Sequence, residues 1–449
     1  MPANARECAA AVLARVESDR AFAAAALDAA LHRAALDPRD RALATELVYG
    51  VLRAAPALDA ALGAHARDGA ASLARLDALT RATLRVGAYQ ILALERVPPR
   101  AAVDAAVESV KRSRTPRLAG FANAVLRRLA EARPPSLPAD ARTALALAAF
   151  PAAARARMAG VLGEAGAEAH LRAAFADERA VTLRVNTLMV PRDAVAARLR
   201  GELAGATVTE GRVSPLAVRV SGGGDPAGWS VVREGVAAVQ EEGAQAVVAM
   251  AAPAPGMRVL DVCAGRGGKS AAAAVWMEGR GVLHAVDLHP EKLARLRESL
   301  TSMGFGASLR VEAHAADVTR GFGRLPAGVY DAVLVDAPCS GLGTVGHRPD
   351  ALWRLRDEAA WRELVAVQEK ILANAAARVA PGGSLVYAVC TLDAEEGDGV
   401  VRRFLEREPA FRAAAGGERV PERLRGERVV LDAATDGTDG FMMWRLMRA

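Results

Sequence analysis

Between residues 258 and 389, five short apolar runs alternate with helical stretches, and this alternation constrains the fold more than any other feature of the chain. The runs are Arg258–Val262, Val282–Val286, Leu309–Glu312, Ala332–Val335 and Ser384–Val389, with helical periodicity between them at Pro290–Met303 and Glu358–Val379. Strands that return through helices lie parallel, so residues 246–449 predict a doubly wound α/β Rossmann-like domain. Ligands of such sheets sit at the carboxyl ends of the strands, so the residues at those ends carry the functional information.

The first run leads into Cys263-Ala264-Gly265-Arg266-Gly267-Gly268-Lys269 and then a helix. A glycine turn between strand and helix lets backbone approach a ligand closely. A phosphate-binding P-loop is excluded, because Cys263 occupies the position of its first glycine; the dinucleotide fingerprint fails because Ser270 occupies that of its third. Asp287, Asp317 and Asp336 fall at the tips of the next three runs. Carboxylates there accept hydrogen bonds from ribose hydroxyls and suit a cationic, ribose-bearing cofactor such as S-adenosylmethionine.

Asp336-Ala337-Pro338-Cys339 closes one run and Val389-Cys390-Thr391 closes the next, which directs both sulfurs to one sheet edge. A thiolate added to C6 of a pyrimidine makes C5 nucleophilic enough to take a methyl group, and elimination of the thiol follows. Asp336 is suited to the N3/N4 edge of a cytosine. Spacing alone leaves open which sulfur attacks, and leaves open that both are plain buried thiols. The four cysteines, Cys8, Cys263, Cys339 and Cys390, lie too far apart for metal-ligand pairs, and seven scattered histidines suggest no metal site.

Residues 4–132 read as helices throughout, and residues 1–135 predict an all-α bundle. They hold 20 basic against 14 acidic residues, which is the whole net charge of +6. Such asymmetry points to an anionic partner. Lys111, Arg112, Arg114, Arg117, Arg127 and Arg128 fall in a stretch without acids and are candidate RNA-phosphate contacts. His347 and Arg348 are further candidates in the loop after Cys339. A proline-rich linker, Arg133–Asp140, precedes residues 141–245, which predict a small α+β module with strands at Val181–Leu188, Leu216–Val220 and Trp229–Val232 and a helix at Ala194–Leu199. No stretch approaches the roughly 20 apolar residues that cross a bilayer, and early charges leave no signal-peptide core. The expectation is a cytoplasmic monomer with no membrane.

The segments DVCAGRGGKS, VDAPCSGLGTVGHRPDALW and LVYAVCTLDAEEG resemble three motifs of the RNA cytosine-C5 methyltransferases. RDRALATELVYGVLR, LRVGAYQILALERVP and GFANAVLRRL resemble a NusB-like RNA-binding domain, and TLRVNTL, EGVAAVQEEGAQ and DGFMMWRLMR extend the likeness over nearly the whole chain. The resemblance implies a class I methyltransferase that uses S-adenosylmethionine on a cytosine of 16S ribosomal RNA. It implies Cys390 as nucleophile, Cys339 as the thiol that helps release product, and cofactor contacts at Cys263–Lys269, Asp287, Asp317 and Asp336. The sequence departs from the family pattern at Gly265-Arg266, where Ala-Pro is usual, at Val389 and Thr391, and at Gly397, where Asn is usual. Arg266 is the one feature that favours an alternative, an RNA-binding or assembly factor with an inactive methyltransferase domain; another RNA target is a further alternative. Lys269 reads either as an organiser of the aspartate tips or as a solvated helix start. Asp393-x-x-Glu396 reads as a helix capping box.

Overall fold

The computed structural model describes residues 4–176, 179–305, 308–354 and 358–449, without the side chain of Arg354. The first three residues of the chain therefore lie outside the described ones. The chain divides into two compact units.

The first unit comprises described residues of 1–156, 174–177 and 345–356. It is helical, as residues 1–135 predict, and three of its helices begin at side-chain caps: Asn4 before Ala5–Asp19, Asp37 before Pro38–Ala64 and Asp77 before Ala78–Ala93. Leu47, Val51, Leu58, Leu84, Ile91 and Leu126 fill its core. One expectation needs correction. The helix Pro38–Ala64 is long and apolar enough to cross a bilayer by length and composition. More than half of its apolar stretch is buried inside the protein, so core packing explains its composition. The unit also extends past the proline linker and takes in a segment from far downstream, because Leu145 and Trp353 pack on the same core.

The second unit holds two sheets. The smaller is antiparallel and is built from β1 (Val181–Val185), β2 (Thr207–Glu210), β3 (Ala217–Ser221) and β4 (Ala237–Val239) in the order β2-β3-β1-β4. Arg192–Glu202 is the expected helix. Trp229–Val232, read as a strand, is not one: Ser230–Arg233 forms a helical turn. Pro226 and Gly228 turn the chain just before it, and the Trp229 indole N–H donates to the Gly223 carbonyl at 2.8 Å, which holds the turn closed.

The larger sheet contains β5 (Arg258–Val262), β6 (Gly281–Asp287), β7 (Leu309–Ala315), β8 (Tyr330–Asp336), β9 (Val379–Val389), β10 (Phe411–Ala413), β11 (Arg428–Leu431) and β12 (Phe441–Arg448). Its order is β10-β12-β9-β8-β5-β6-β7, with β11 also on β12. The five expected strands are the parallel ones. Val259, Leu260, Val262, Val333 and Leu334 are fully buried, as strands covered on both faces require. The sheet is mixed rather than purely parallel, because β12 runs antiparallel to β9 and carries β10 and β11. Asp336 pairs with Ala388 and Val262 with Val286, so the tips of β5, β6, β8 and β9 open onto one edge.

Candidate active site

The chain leaves β5 at Cys263 with φ 63°, unusual for a residue with a Cβ, and passes Gly265 at φ 59° and Gly267 at φ 86° before the helix Gly268–Trp276. Gly267 is required twice over, since a Cβ there would come within 2.5 Å of Leu296. The Ala264 N–H donates to the Val286 carbonyl at 2.9 Å, and the Gly265 N–H donates to Asp287 Oδ2 at 2.9 Å. Asp287 also accepts the His289 N–H at 2.9 Å, and the Lys292 ammonium lies 3.7 Å away. Asp317 caps its own turn through the Thr319 N–H and hydroxyl at 3.0 and 2.6 Å. Arg266 is exposed on the turn.

Asp261 belongs to this site although its place inside an apolar run hid it. It is fully buried, and Ser270 donates to its Oδ2 at 2.6 Å while its Oδ1 has no partner among the described residues. Burial pushes its carboxyl up to about 7 against the pull of the Ser270 hydrogen bond and the Lys269 charge. An unmet buried acceptor beside a glycine turn and three tip carboxylates forms an acidic cradle. That cradle fits a cation bearing hydroxyl and amino donors.

Lys269 is not a solvated helix start. Its ammonium lies 2.5 Å from Asp336 Oδ2 with little exposure. Burial works against its charge, but the Asp336 carboxylate outweighs burial and raises its pKa, so it stays an ammonium. Cys390 lies within its electrostatic reach.

The two sulfurs meet: Cys339 Sγ lies 3.3 Å from Cys390 Sγ, unbonded. The Cys339 thiol is pushed well above its usual range by its hydrogen bond to Cys390, by burial, and by the negative charges of Glu396 and Asp336. Either sulfur can donate to the other across this contact.

Glu396 corrects the capping-box reading. Asp393 does cap locally, accepting the Glu395 N–H at 2.8 Å, but Glu396 does not reach back to it. Glu396 is fully buried and accepts the Ser340 N–H at 2.8 Å, the Trp361 indole N–H at 3.0 Å, the Gln368 amide at 2.9 Å and the Thr391 hydroxyl at 3.4 Å. Ser340 follows Cys339 and Thr391 follows Cys390, and their hydroxyls meet at 2.7 Å. One carboxylate thus holds the loops of both sulfurs. Every partner can donate, which favours the ionised form although burial raises its pKa. A Glu396→Gln variant turns one donor pair into a donor–donor clash. We expect it to cost about 1–3 kcal/mol of stability and to slow repeated turnover more than the first, read by thermal melting and by single- against multiple-turnover methyl transfer. Gly397 also departs from the family pattern for a packing reason: a Cβ there would meet Trp444 at 2.6 Å and Met442 at 2.7 Å.

In the helical unit Lys111, Arg112, Arg114, Arg117, Arg127 and Arg128 are all exposed. Acids from elsewhere approach two of them: Glu108 lies 3.5 Å from Lys111, and Glu7 lies 2.6 Å from Arg112. Arg128 donates to the His65 carbonyl at 3.2 Å. Arg114, Arg117 and Arg127 have no ion pair among the described residues. His347 and Arg348 are exposed and belong to the helical unit.

Residues 3–131 match the NusB family, and residues 248–445 match the family described as 16S rRNA methyltransferase RsmB/F. A protein of Bacillus subtilis named "Probable ribosomal RNA small subunit methyltransferase B" is 30% identical over 98% of both chains. The chain belongs to the RsmB/F family of 16S rRNA methyltransferases. Ribosomal RNA small subunit methyltransferase B of Xylella fastidiosa is 34% identical over 92% of this chain and 93% of its own. The crystal structure of PH0851 shares the fold, with a TM-score of 0.80 and 24% identity over 98% of both chains. NSun6 from Pyrococcus horikoshii, solved with SFG, shares it with a TM-score of 0.57 and 18% identity over 67% of this chain and 99% of its own.

Proposed function

We propose that this protein methylates carbon 5 of a cytosine in 16S ribosomal RNA, with S-adenosylmethionine as donor and Cys390 as covalent nucleophile. The 3.3 Å approach of Cys339 and Cys390 at the edge shared with the cofactor turn carries the reading. Family membership supports rRNA as the substrate. Cys263–Lys269, Asp261, Asp287, Asp317 and Asp336 would hold the donor, and SFG, carried by the structural neighbour NSun6, is an analogue of it. When bound, S-adenosylmethionine supplies an electrophilic methyl group on a sulfonium.

Cys390 adds to C6 of the cytosine as a thiolate, helped by the Lys269 ammonium. Asp336, oriented by Lys269, meets the N3/N4 edge and favours protonation at N3 as electrons move onto the ring. After C5 has taken the methyl group a water molecule takes the C5 proton, the C5–H electron pair forms the C5=C6 double bond, and the C6–S bond breaks with its pair on the Cys390 sulfur. The Cys339 thiol, brought within 3.3 Å of the Cys390 sulfur by the loop that Glu396 holds, hydrogen-bonds the departing thiolate and so favours release. The helical unit holds the RNA backbone through Arg114, Arg117 and Arg127, with Lys111, Arg112 and Arg128 at its margin. The small antiparallel sheet, residues 181–239, and the Gln240 that follows it support the cofactor turn at Gly268. Reduced thiols and a ribosomal RNA substrate suit a cytoplasmic enzyme acting as a monomer.

The test is incubation of the protein with methyl-labelled S-adenosylmethionine and unmodified 16S rRNA, followed by mapping of 5-methylcytosine. A single labelled cytosine is expected. Binding of the RNA without any label transfer would favour the inactive assembly factor instead.

A further inference from the structure

Arg184 lies within β1 and is 4% exposed, yet no carboxylate pairs with it among the described residues. The one hydrogen bond of its side chain among the described residues runs from Nε to Gln240 Oε1 at 2.7 Å. With burial alone acting on it, its guanidinium is pulled down to about 10. The contrast within this chain is Arg85, equally buried but paired with both Asp59 and Glu17. An uncompensated buried cation costs several kcal/mol, so its retention calls for a partner that arrives from outside.

Asn186 repeats the pattern two residues further on. It is 2% exposed, its Oδ1 accepts the Leu188 N–H at 3.3 Å, and its buried Nδ2 has no partner. Side chains alternate along a strand. Leu183 and Val185 fill the small-sheet core, so Arg184 and Asn186 share the opposite face. That face leads to the cofactor turn: a Cβ on Gly268 would stand 3.3 Å from the amide of Gln240, the residue that holds Arg184. The Nη atoms of Arg184 and the Nδ2 of Asn186 thus offer a guanidinium fork and an amide donor on a face that reaches Gly268 of the cofactor turn through Gln240, both without an acceptor among the described residues.

We propose that Arg184 and Asn186 form a binding site for an oxyanion of the reacting pair, either the carboxylate of the methyl donor or a phosphate next to the target cytosine. The site rests on the function proposed above. A planar fork with an adjacent amide matches a group that presents two oxygens.

Arg184→Gln and Asn186→Ala separate the two sources. S-adenosylmethionine and its decarboxylated analogue are titrated by calorimetry, and a 16S rRNA fragment by filter binding over a range of salt. If the carboxylate is held, Arg184→Gln weakens S-adenosylmethionine about tenfold or more and leaves the decarboxylated analogue and the RNA unchanged. If the phosphate is held, the cofactor is unaffected, RNA binding weakens and its salt slope falls by about one. Asn186→Ala moves the same ligand by a smaller factor and carries the test should Arg184→Gln not fold. Wild-type affinity for both ligands in both variants overturns the site, whatever their melting temperatures. A wild-type protein that binds no S-adenosylmethionine overturns the methyltransferase reading itself, and the site with it.

Discussion

A Cys390→Ala variant is expected to fold, to bind cofactor and RNA, and to transfer no methyl group. The drop should reach about a thousandfold or more, because an unactivated C5 has no other route to the enamine. Stability should change little. Cys390 is only part of the rim of the core, and the hydrogen bond that fixes its backbone, from the Gly343 N–H at 3.2 Å, does not involve the sulfur. Label transfer from methyl-labelled cofactor to 16S rRNA measures the effect, with thermal melting and cofactor titration as controls. Full activity in this variant would end the covalent mechanism.

The second large effect has the opposite signature. Cys339→Ala should complete its first methyl transfer and then stall with RNA attached. In the mechanism proposed above, the thiol 3.3 Å from Cys390 hydrogen-bonds the departing thiolate, and the variant has no group in its place. A denaturation-resistant enzyme–RNA complex should appear on gels, with stoichiometric methylation and little turnover. If Cys390→Ala traps the complex and Cys339→Ala abolishes the first turnover, the two sulfurs have exchanged roles. The sequence motifs leave that arrangement open without the family resemblance.

The parallel strands were legible because strands covered on both faces are near-continuous apolar runs. The tip residues were legible because such a sheet exposes its strand ends on one edge. β2 and β4 were not, since a short strand with one buried residue, as in Thr207–Glu210, has no periodicity to detect. Glu396 was misread for a different reason. Its spacing from Asp393 fits a cap, and only long-range packing against Ser340, Trp361 and Gln368 reveals its other partners. Arg184 stayed hidden because a strand arginine gives no sign of burial until the opposite face is known.

The segment between β8 and β9 that joins the helical unit has a consequence for how the protein is made. Trp353 donates its indole N–H to the Leu52 carbonyl at 3.1 Å across 301 residues, its ring lies 5.3 Å from the Arg85 guanidinium, and Arg53 donates to the Gly346 carbonyl at 2.7 Å. At ~5–20 residues per second, a ribosome takes roughly 15–60 s to travel from Leu52 to Trp353. The nascent bundle therefore waits, with the patch around Leu52 and Arg85 bare, until the codons for the Cys339 loop have been read. Maturation of the N-terminal half is timed by the arrival of the catalytic half.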